Sequence, residues 1–377
     1  GRYYLQVISP TLNLQVGDVK ALPLITDNKI NPLVEECIKI SKNDWDSFET
    51  SWDFHRHPLV VLAQKTVYKN MRGLVCRVED AFFWWNNECN TRFAQLKTNE
   101  EELNRIFINN YGLQDELTPE VKDKDVTVRK ADLQRDIKSL LSYAIGCMFG
   151  RYSLDADGLA YAGGEWDDSK YLDFIPDKDN IIPITDEEYL EDDIIGLLCV
   201  WMKKVYGADS LEENFDYIAK AVGSKGSTSR EIIRNYFLND FMKDHTKVYQ
   251  KRPIYWLFDR GKQNGFKALI YLHRYTPDTI GNLRIDYLHR MQRIYESESK
   301  RMQDMIDHST NAREVATATK RKEKLQKQLK ECREYDEKIA HLALSRIQLD
   351  LDDGVKVNYE KVQTASDGKK YQVLARI

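Results

Sequence analysis

Residues 251–274 interleave cations with aromatic side chains, in a pattern that predicts two β-strands joined by a glycine turn. The first candidate strand lies within Lys251-Arg-Pro-Ile-Tyr-Trp-Leu-Phe258, and a second apolar run precedes Arg274. Seven cations and a single acid lie between His245 and Tyr275, although the whole chain has a formal net charge of −4. A basic and aromatic segment in an acidic chain indicates a surface that faces a polyanion.

The composition is that of a globular protein. The 377 residues, 42% hydrophobic and 31% charged, are enough for two or three compact units. We expect a cytoplasmic protein, because no apolar run is long enough to span a bilayer and no secretory leader is evident. Six cysteines without a CxxC pair predict reduced thiols rather than disulfides or zinc ligands.

Hydrophobic periodicity predicts a mainly α-helical α+β fold. We divide the chain into a first region with strands and a connecting helix (1–60), a helical body (61–244), the basic β-hairpin (245–275), a helical hairpin like a coiled coil (276–349) and a tail (350–377). Residues 3–25 predict strands with a turn at Gly17-Asp18, and residues 43–60 and 350–359 predict loops. Helices are expected near 74–111, 132–149, 227–241, 282–307 and 312–348, and residues 371–377 could add a strand.

Residues 165–193 are the acidic counterpart of the basic segment, with twelve acids and two lysines. Thr185 followed by three acids predicts a helix N-cap at that position. The acidic segment has no regular spacing of a cation loop, so a solvated loop is the favoured interpretation.

No catalytic residue is predicted from the motifs of this chain. It contains no phosphate-binding GxxxxGK[ST] loop, no GxGxxG, no GxSxG and no Asn-Pro-Pro-aromatic or Asp-Pro-Pro-aromatic tetrapeptide. His55 and His57 could offer two imidazoles to a metal, but a solvated or capping loop is favoured because no third ligand lies nearby. The charged residues near Asp336 and Glu323 are interpreted as a solvated helix face rather than a nuclease site.

The basic segment supports two interpretations, and the residues alone leave both open. In the first, cations contact phosphates and an aromatic ring packs beside the nucleic acid. In the second, the hairpin is buried, its aromatics are core and its lysines are ordinary surface. The candidate DNA-binding residues are Lys247, Lys251, Arg252, Trp256, Arg260, Lys262, Lys267 and Arg274.

Several long motifs resemble one family. They are Pro10-Thr-Leu-Asn-Leu-Gln-Val-Gly-Asp-Val-Lys-Ala-Leu-Pro23, Lys42-Asn-Asp-Trp-Asp-Ser-Phe-Glu-Thr-Ser-Trp-Asp-Phe54, Gly146-Cys-Met-Phe-Gly-Arg-Tyr-Ser-Leu154, Lys251-Arg-Pro-Ile-Tyr-Trp-Leu-Phe258 and Asp350-Leu-Asp-Asp-Gly-Val-Lys-Val-Asn-Tyr359. The first resembles the end of a target-recognition domain in fused DNA adenine-N6 methyltransferases. The others are similar to the C-terminal region of PglX-type methyltransferases of BREX phage-defence systems, and type IIG restriction–modification proteins share parts of the pattern.

The resemblance implies a bacterial enzyme that transfers a methyl group from S-adenosylmethionine to adenine in double-stranded DNA. Because the cofactor motif and the catalytic tetrapeptide are not in this sequence, we expect an excised C-terminal portion that positions DNA and acts as a spacer, with no catalytic residue, metal or cofactor of its own.

Two other functions stay open. One is a non-catalytic module that docks other phage-defence subunits through the acidic segment and a stripe of Leu325, Leu329 and Ile339. The other, ranked third among the three functions, is an autonomous enzyme.

Overall fold

The computed structural model describes residues 16–20, 27–64, 77–259 and 261–377. These residues are mainly helical and include a small antiparallel sheet, so the predicted α+β class is confirmed. The chain divides into two compact units. The smaller contains the described residues within 16–45 and 87–130, and the larger contains those within 46–86 and 131–377.

The helices expected near 74–111, 132–149, 227–241, 282–307 and 312–348 are all present, and further helices lie before, between and after them. In chain order they are α1 (Val16–Lys20), α2 (Ile30–Trp45), α3 (Pro58–Gln64), α4 (Val78–Asn110), α5 (Leu133–Met148), α6 (Ile194–Tyr206), α7 (Leu211–Val222), α8 (Ser229–Asn239), α9 (Phe241–Val248), α10 (Thr279–Asn282), α11 (His289–His308), α12 (Ala312–Ser345) and α13 (Val355–Lys361). A π-helical segment, Leu283–Leu288, connects α10 to α11. The strands are β1 (Ile182–Pro183), β2 (Tyr255–Asp259) and β3 (Lys267–Tyr271).

The smaller unit has its own apolar core. This core contains Ile40, Phe93, Leu96, Val126 and Val128, contributed by α2, α4 and the segment that follows α4. Helix α2, the expected connecting helix, begins at Ile30, with Pro32 in its first turn, and extends through residue 45 into the segment predicted as a loop.

The short helix α1 corrects the prediction of a strand and turn at residues 16–20. Val16 and Val19 are three residues apart, which is the spacing of a helix face rather than of a strand. The rest of the predicted β region, residues 3–15 and 21–25, lies outside the described residues.

The predicted basic hairpin is present in the larger unit. Strand β2 pairs antiparallel with β3, from Tyr255 opposite Tyr271 to Asp259 opposite Lys267. Strand β1 pairs with the other edge of β3. The tail covers the free edge of β2, since the Asp259 amide donates to the Val373 carbonyl (3.0 Å) and the Ala375 amide donates to the Leu257 carbonyl (2.8 Å). The predicted pairing of the tail is therefore present, as a single β-bridge at Leu374.

Both faces of the hairpin are buried. Side chains alternate between the two faces of a strand. On one face, Trp256 and Phe258 belong to a core shared with α11, α12 and the tail. On the other face, the Tyr255 ring stacks on Phe149 at 5.5 Å and on His245 at 4.7 Å. Burial of each such side chain stabilises the fold by about 2 kcal/mol, so the hairpin is a central core element of this unit.

The helical hairpin of α11 and α12 packs on this sheet. Leu325, Cys332 and Ile339 on α12 are fully buried in the shared core, and Leu329 is partly buried. The Tyr335 hydroxyl donates to the Val373 carbonyl at 2.6 Å. The idea that this stripe docks another subunit is therefore wrong for Leu325 and Ile339, because their partners lie within this chain.

Two further differences from the sequence prediction have local causes. Ile285 has the spacing of an apolar residue of the predicted helix 282–307 but is 59% exposed, because the π-helical segment shifts the side-chain register before α11 begins. Residues 355–361 form α13 rather than a loop, and the Asn358 side chain donates to the Gly354 carbonyl at 3.1 Å within its first turn.

Helix α6 begins at Ile194 rather than after Thr185. The carboxylate of Asp193 accepts a hydrogen bond from the Ile195 amide (3.0 Å) and forms a bidentate pair with Arg234, with two contacts of 2.7 Å. Thr185 is fully buried, and its hydroxyl donates to the Glu187 carbonyl. Asp193 is therefore the N-cap, and its partner Arg234 is distant in sequence. The local pattern at Thr185 could not show this pairing. At α8, by contrast, a local cap is present: the Thr228 side chain accepts a hydrogen bond from the Glu231 amide.

His57 has a capping role, which was the favoured interpretation of the His-Arg-His motif. Its Nδ1 accepts a hydrogen bond from the Leu59 amide at 3.3 Å, and its ring is 3% exposed at the start of α3.

No group of three metal-binding side chains occurs among the described residues. Within the same residues, no helix is long and apolar enough to cross a membrane, and every cysteine is a free thiol.

The His57 cap makes a prediction about pH. Burial lowers the pKa of His57 to about 3, from 6.5. The stabilisation that comes from the neutral ring is therefore complete above pH 6.5 and is lost as the pH falls toward 3. In His57→Asn the cap is retained without the titration. We expect the wild type to lose about 2 kcal/mol more unfolding free energy than this variant between pH 7 and pH 5, measured by urea titration. If the wild type and His57→Asn lose equal amounts of unfolding free energy over this pH range, the neutral His57 ring does not have this stabilising role.

Candidate nucleic-acid interface

Three exposed cations lie where α9 ends and the hairpin begins. Lys247 lies in the last turn of α9, and Lys251 and Arg252 follow it. The turn is fixed by hydrogen bonds from the Lys251 amide to the Thr246 carbonyl (2.8 Å) and from the Arg252 amide to the Tyr249 carbonyl (2.9 Å). We call these three side chains the entry cations.

The backbone of this turn is unusual. Gln250 and Lys251 have φ values of 51° and 62°, in the left-handed region that costs an L-residue about 1 kcal/mol. None of the entry cations forms an ion pair with a carboxylate of the described residues. Their charge is also favoured at the negative end of the α9 dipole. The turn therefore displays positive charge that the described part of the fold leaves unpaired.

A fourth exposed cation, Lys262, lies on the turn between β2 and β3. Helix α12 holds this turn, because the Glu331 carboxylate accepts hydrogen bonds from the Gln263 amide (3.2 Å) and the Gly265 amide (3.0 Å). Exposed Lys327 lies on the same helix face as Glu331, four residues earlier. In the sequence, the signal for this second basic surface is the cation-rich run from 320 to 330. That pattern alone predicts only a solvated helix face.

Lys267 and Trp256 lie in the interior, although the sequence marked both as candidate DNA contacts. The Lys267 ammonium pairs with the Asp259 carboxylate at 3.1 Å and donates to the Leu238 carbonyl at 2.9 Å. Trp256 is 1% exposed and packs edge-on against Tyr359. Neither side chain faces solvent in this structure. For Lys267 and Trp256, the interpretation of the hairpin as a buried element is therefore the better one.

Arg274 is also engaged within the fold. Its guanidinium donates to the carbonyls of Phe149 (3.2 Å), Asp177 (2.7 Å) and Lys178 (3.1 Å), and it lies 4.5 Å from the centre of the Trp166 ring. Burial lowers its pKa. The guanidinium thus ties the acidic segment to the end of α5. Arg260, the remaining candidate, lies outside the described residues.

Part of the acidic segment neutralises cations of the chain itself. Glu187 pairs with Arg321 at 2.5 Å, and Asp186 pairs with Lys324. Burial and the neighbouring Asp179 carboxylate raise the pKa of Asp177 to about 7. The segment is therefore more tightly folded onto the protein than the predicted solvated loop, and the exposed cations on the turns form a separate surface.

Taken together, the described residues form a helical α+β protein with unpaired cations at both ends of a buried hairpin. The chain is 46% identical over 365 residues, or 96% of its length, to the adenine-specific methyltransferase PglX of Lacticaseibacillus casei (strain Zhang). It is 35% identical over 390 residues, covering 95% of its length, to the adenine-specific methyltransferase BrxX of Escherichia coli O9:H4 (strain HS). No protein-family model matches the chain.

The chain is therefore a homologue of PglX-type adenine-specific methyltransferases over almost its whole length, and the family resemblance of its motifs is confirmed. It spans 30% and 31% of the lengths of these two relatives.

A substitution at Arg274 tests whether this side chain has a structural role. In Arg274→Lys the three carbonyls and the Trp166 ring lose their planar partner, so we expect a loss of about 2–4 kcal/mol of unfolding free energy in urea. The matched control, Arg252→Lys on the exposed turn, should change stability by less than about 0.5 kcal/mol. If both substitutions change the unfolding free energy by a similarly small amount, Arg274 does not stabilise the fold.

Proposed function

We propose that this chain is a DNA-positioning region of an S-adenosylmethionine-dependent adenine-N6 DNA methyltransferase in bacterial phage defence, and that it does not itself carry out methyl transfer. The observation that carries the proposal is the set of unpaired entry cations, held on a rigid turn of a chain homologous to adenine-specific methyltransferases. Double-stranded DNA is the proposed partner, and S-adenosylmethionine is proposed to bind elsewhere in the longer enzyme.

The proposed contact is to the phosphate backbone. Lys247, Lys251, Arg252 and Lys262 are exposed, and none has a carboxylate partner among the described residues. Cations of this kind neutralise phosphates and release counterions, which gives affinity without reading the sequence. Base recognition is therefore left to other parts of the enzyme, and this surface sets the position of the duplex.

The supporting geometry separates this surface from the buried half of the basic segment. Each five-residue strand is roughly 15 Å long at about 3.3 Å per residue, and the entry cations and Lys262 lie beyond opposite ends of the hairpin. Two cationic positions at this separation fit contacts to different phosphates of one duplex. The hairpin core between them supplies rigidity rather than contact.

A second candidate function, docking of another phage-defence protein, is favoured by a separate surface. Trp52 is 98% exposed, Leu172 73% and Ile175 70%. Their loops are neighbours, because the Gly158 amide donates to the His55 carbonyl (2.7 Å) and the Leu172 amide donates to the Asp155 carboxylate (2.8 Å). Under this function Trp52→Ser with Ile175→Ser removes co-purification with defence proteins and leaves DNA binding unchanged.

The DNA proposal is tested with Lys247→Ala, Lys251→Ala and Arg252→Ala combined. Removing three phosphate contacts should reduce the slope of log affinity against log salt by about 3, measured by DNA titration at 50 and 200 mM salt in the longer enzyme and in this chain. The control is Lys204→Ala, Lys220→Ala and Lys225→Ala combined, which removes the same charge from exposed positions on α6, on α7 and just after α7. If both triple variants retain the wild-type slope, the entry cations do not contact DNA.

A further inference from the structure

A line of cations runs along the first part of α12. Arg313, Lys320 and Lys327 are exposed and recur every seven residues, so they lie on one face of the helix. At a rise of 1.5 Å per residue, the line is about 21 Å long. We call these three side chains the α12 stripe.

The charge of α12 is unevenly distributed along its length. Residues 312–330 carry seven lysines and arginines and two acids, whereas residues 331–345 carry two lysines and arginines and four acids. A helix that is only solvated and stabilised by its own ion pairs alternates the two signs along its face. The first part of α12 instead concentrates positive charge, as a surface that meets an anion does.

The stripe cations have no carboxylate partner among the described residues. Two other cations of the same part of α12 are paired with the acidic segment. Arg321 pairs with Glu187 at 2.5 Å, and Lys324 pairs with Asp186. The acidic segment therefore neutralises the cations that face it and leaves the charge of the stripe uncompensated.

The stripe is held on a rigid support. Leu325, between two stripe positions, is fully buried in the core that α12 shares with the hairpin. At the start of the helix, the Asn311 side chain accepts the amide of Arg313 at 3.0 Å, and the Glu314 carboxylate accepts the Ser309 hydroxyl at 2.8 Å. A rigid helix presents its cations in a fixed register, which lowers the entropy lost when they bind.

The first turn of α12 borders a groove between α11 and α12. The groove has a volume of about 650 Å³, and Arg301, Arg313 and Arg321 are among the side chains that line it. Arg301 and Arg321 have the carboxylate partners Glu298 and Glu187, and Arg313 has none among the described residues. Guanidinium groups suit phosphate oxygens, and the positive end of the helix dipole also favours an anion.

Duplex DNA fits the stripe better than an acidic protein surface does. Protein–protein contacts depend on aromatic or apolar anchors that become buried at their centre. Along α12, which is described in full, Leu344 near the C-terminal end is the one large apolar side chain that is exposed. Met305 of α11, which lines the groove, is exposed singly. Phosphate contacts need no apolar anchor, and about 21 Å is roughly two-thirds of a turn of the duplex.

We propose that the α12 stripe is a further contact to the phosphate backbone of duplex DNA, continuous with Lys262. Glu331 lies one turn after Lys327 and accepts the amides of Gln263 (3.2 Å) and Gly265 (3.0 Å) in the turn that displays Lys262. The stripe and Lys262 therefore form one basic line. This inference rests on the proposed DNA-positioning function, but it does not depend on the entry cations.

The test combines Arg313→Ala, Lys320→Ala and Lys327→Ala. Alanine is a strong helix former and the three positions are exposed, so the variant should unfold at the urea concentration of the wild type. In the longer enzyme, the slope of log affinity for a labelled duplex against log salt, between 50 and 200 mM, should fall by about 3.

The matched control removes one arginine and two lysines from exposed positions on α11 and α13, namely Arg293→Ala, Lys300→Ala and Lys356→Ala. This control should retain the wild-type slope. Exchange of the stripe cations, as Arg313→Lys, Lys320→Arg and Lys327→Arg, should also retain it, because the contact depends on charge.

Comparison with the variant of the entry cations separates this inference from the proposed function. If the entry-cation variant lowers the slope and the stripe variant keeps it, the stripe is not a contact and the DNA function stands. If the stripe variant alone lowers the slope, the stripe is the contact and the entry cations are not. If neither variant changes the slope, both proposals fail. A stripe variant that lost affinity only for polyglutamate would indicate an acidic protein partner and overturn the inference.

Discussion

Burial of the β2–β3 hairpin on both faces is the constraint on which the rest of the larger unit depends. One face packs against the helical hairpin and the tail, and the other packs against the end of α5 and against α9. Because side chains alternate along a strand, both sets of aromatic residues are then core. Among the described residues of this segment, the exposed ones lie in its turns. The location of the exposed cations follows directly from this arrangement.

The same constraint determines how charge is distributed. Lys267, inside the hairpin, needs the Asp259 carboxylate beside it because an unpaired buried ammonium is expensive. The acidic segment behaves in the same way, since Asp193 holds Arg234 and Glu187 holds Arg321. Several opposite charges that are separated in the sequence thus meet in the fold. The entry cations and Lys262 have no carboxylate partner among the described residues, and they carry the proposed contact with DNA.

The sequence predicted the elements that depend on local periodicity. The long helices α4, α5, α11 and α12 were predicted because their apolar residues recur every three to four positions. The hairpin was predicted from its two apolar runs and its glycine turn. Alternation in a strand does not reveal that both faces are covered, and so Trp256 and Lys267 were expected to contact DNA while the fold buries both.

Features that depend on distant residues were not predictable from local pattern. The start of α6 is set by Arg234, which lies 41 positions from the Asp193 cap. The family was recognisable because its motifs are continuous in sequence, and the comparisons confirm it. Motifs of this kind identify relatives without showing which side chains face solvent.

Lysine acetylation footprinting of the chain, with and without duplex DNA, tests the central claim most directly. The account predicts that Lys247, Lys251 and Lys262 react readily in the free protein and are protected when DNA is bound, while Lys267 is unreactive in both states. The buried hairpin would be contradicted if Lys267 reacted as fast as Lys251 in the free protein. The contact would be contradicted if DNA bound and left the reactivity of Lys247, Lys251 and Lys262 unchanged.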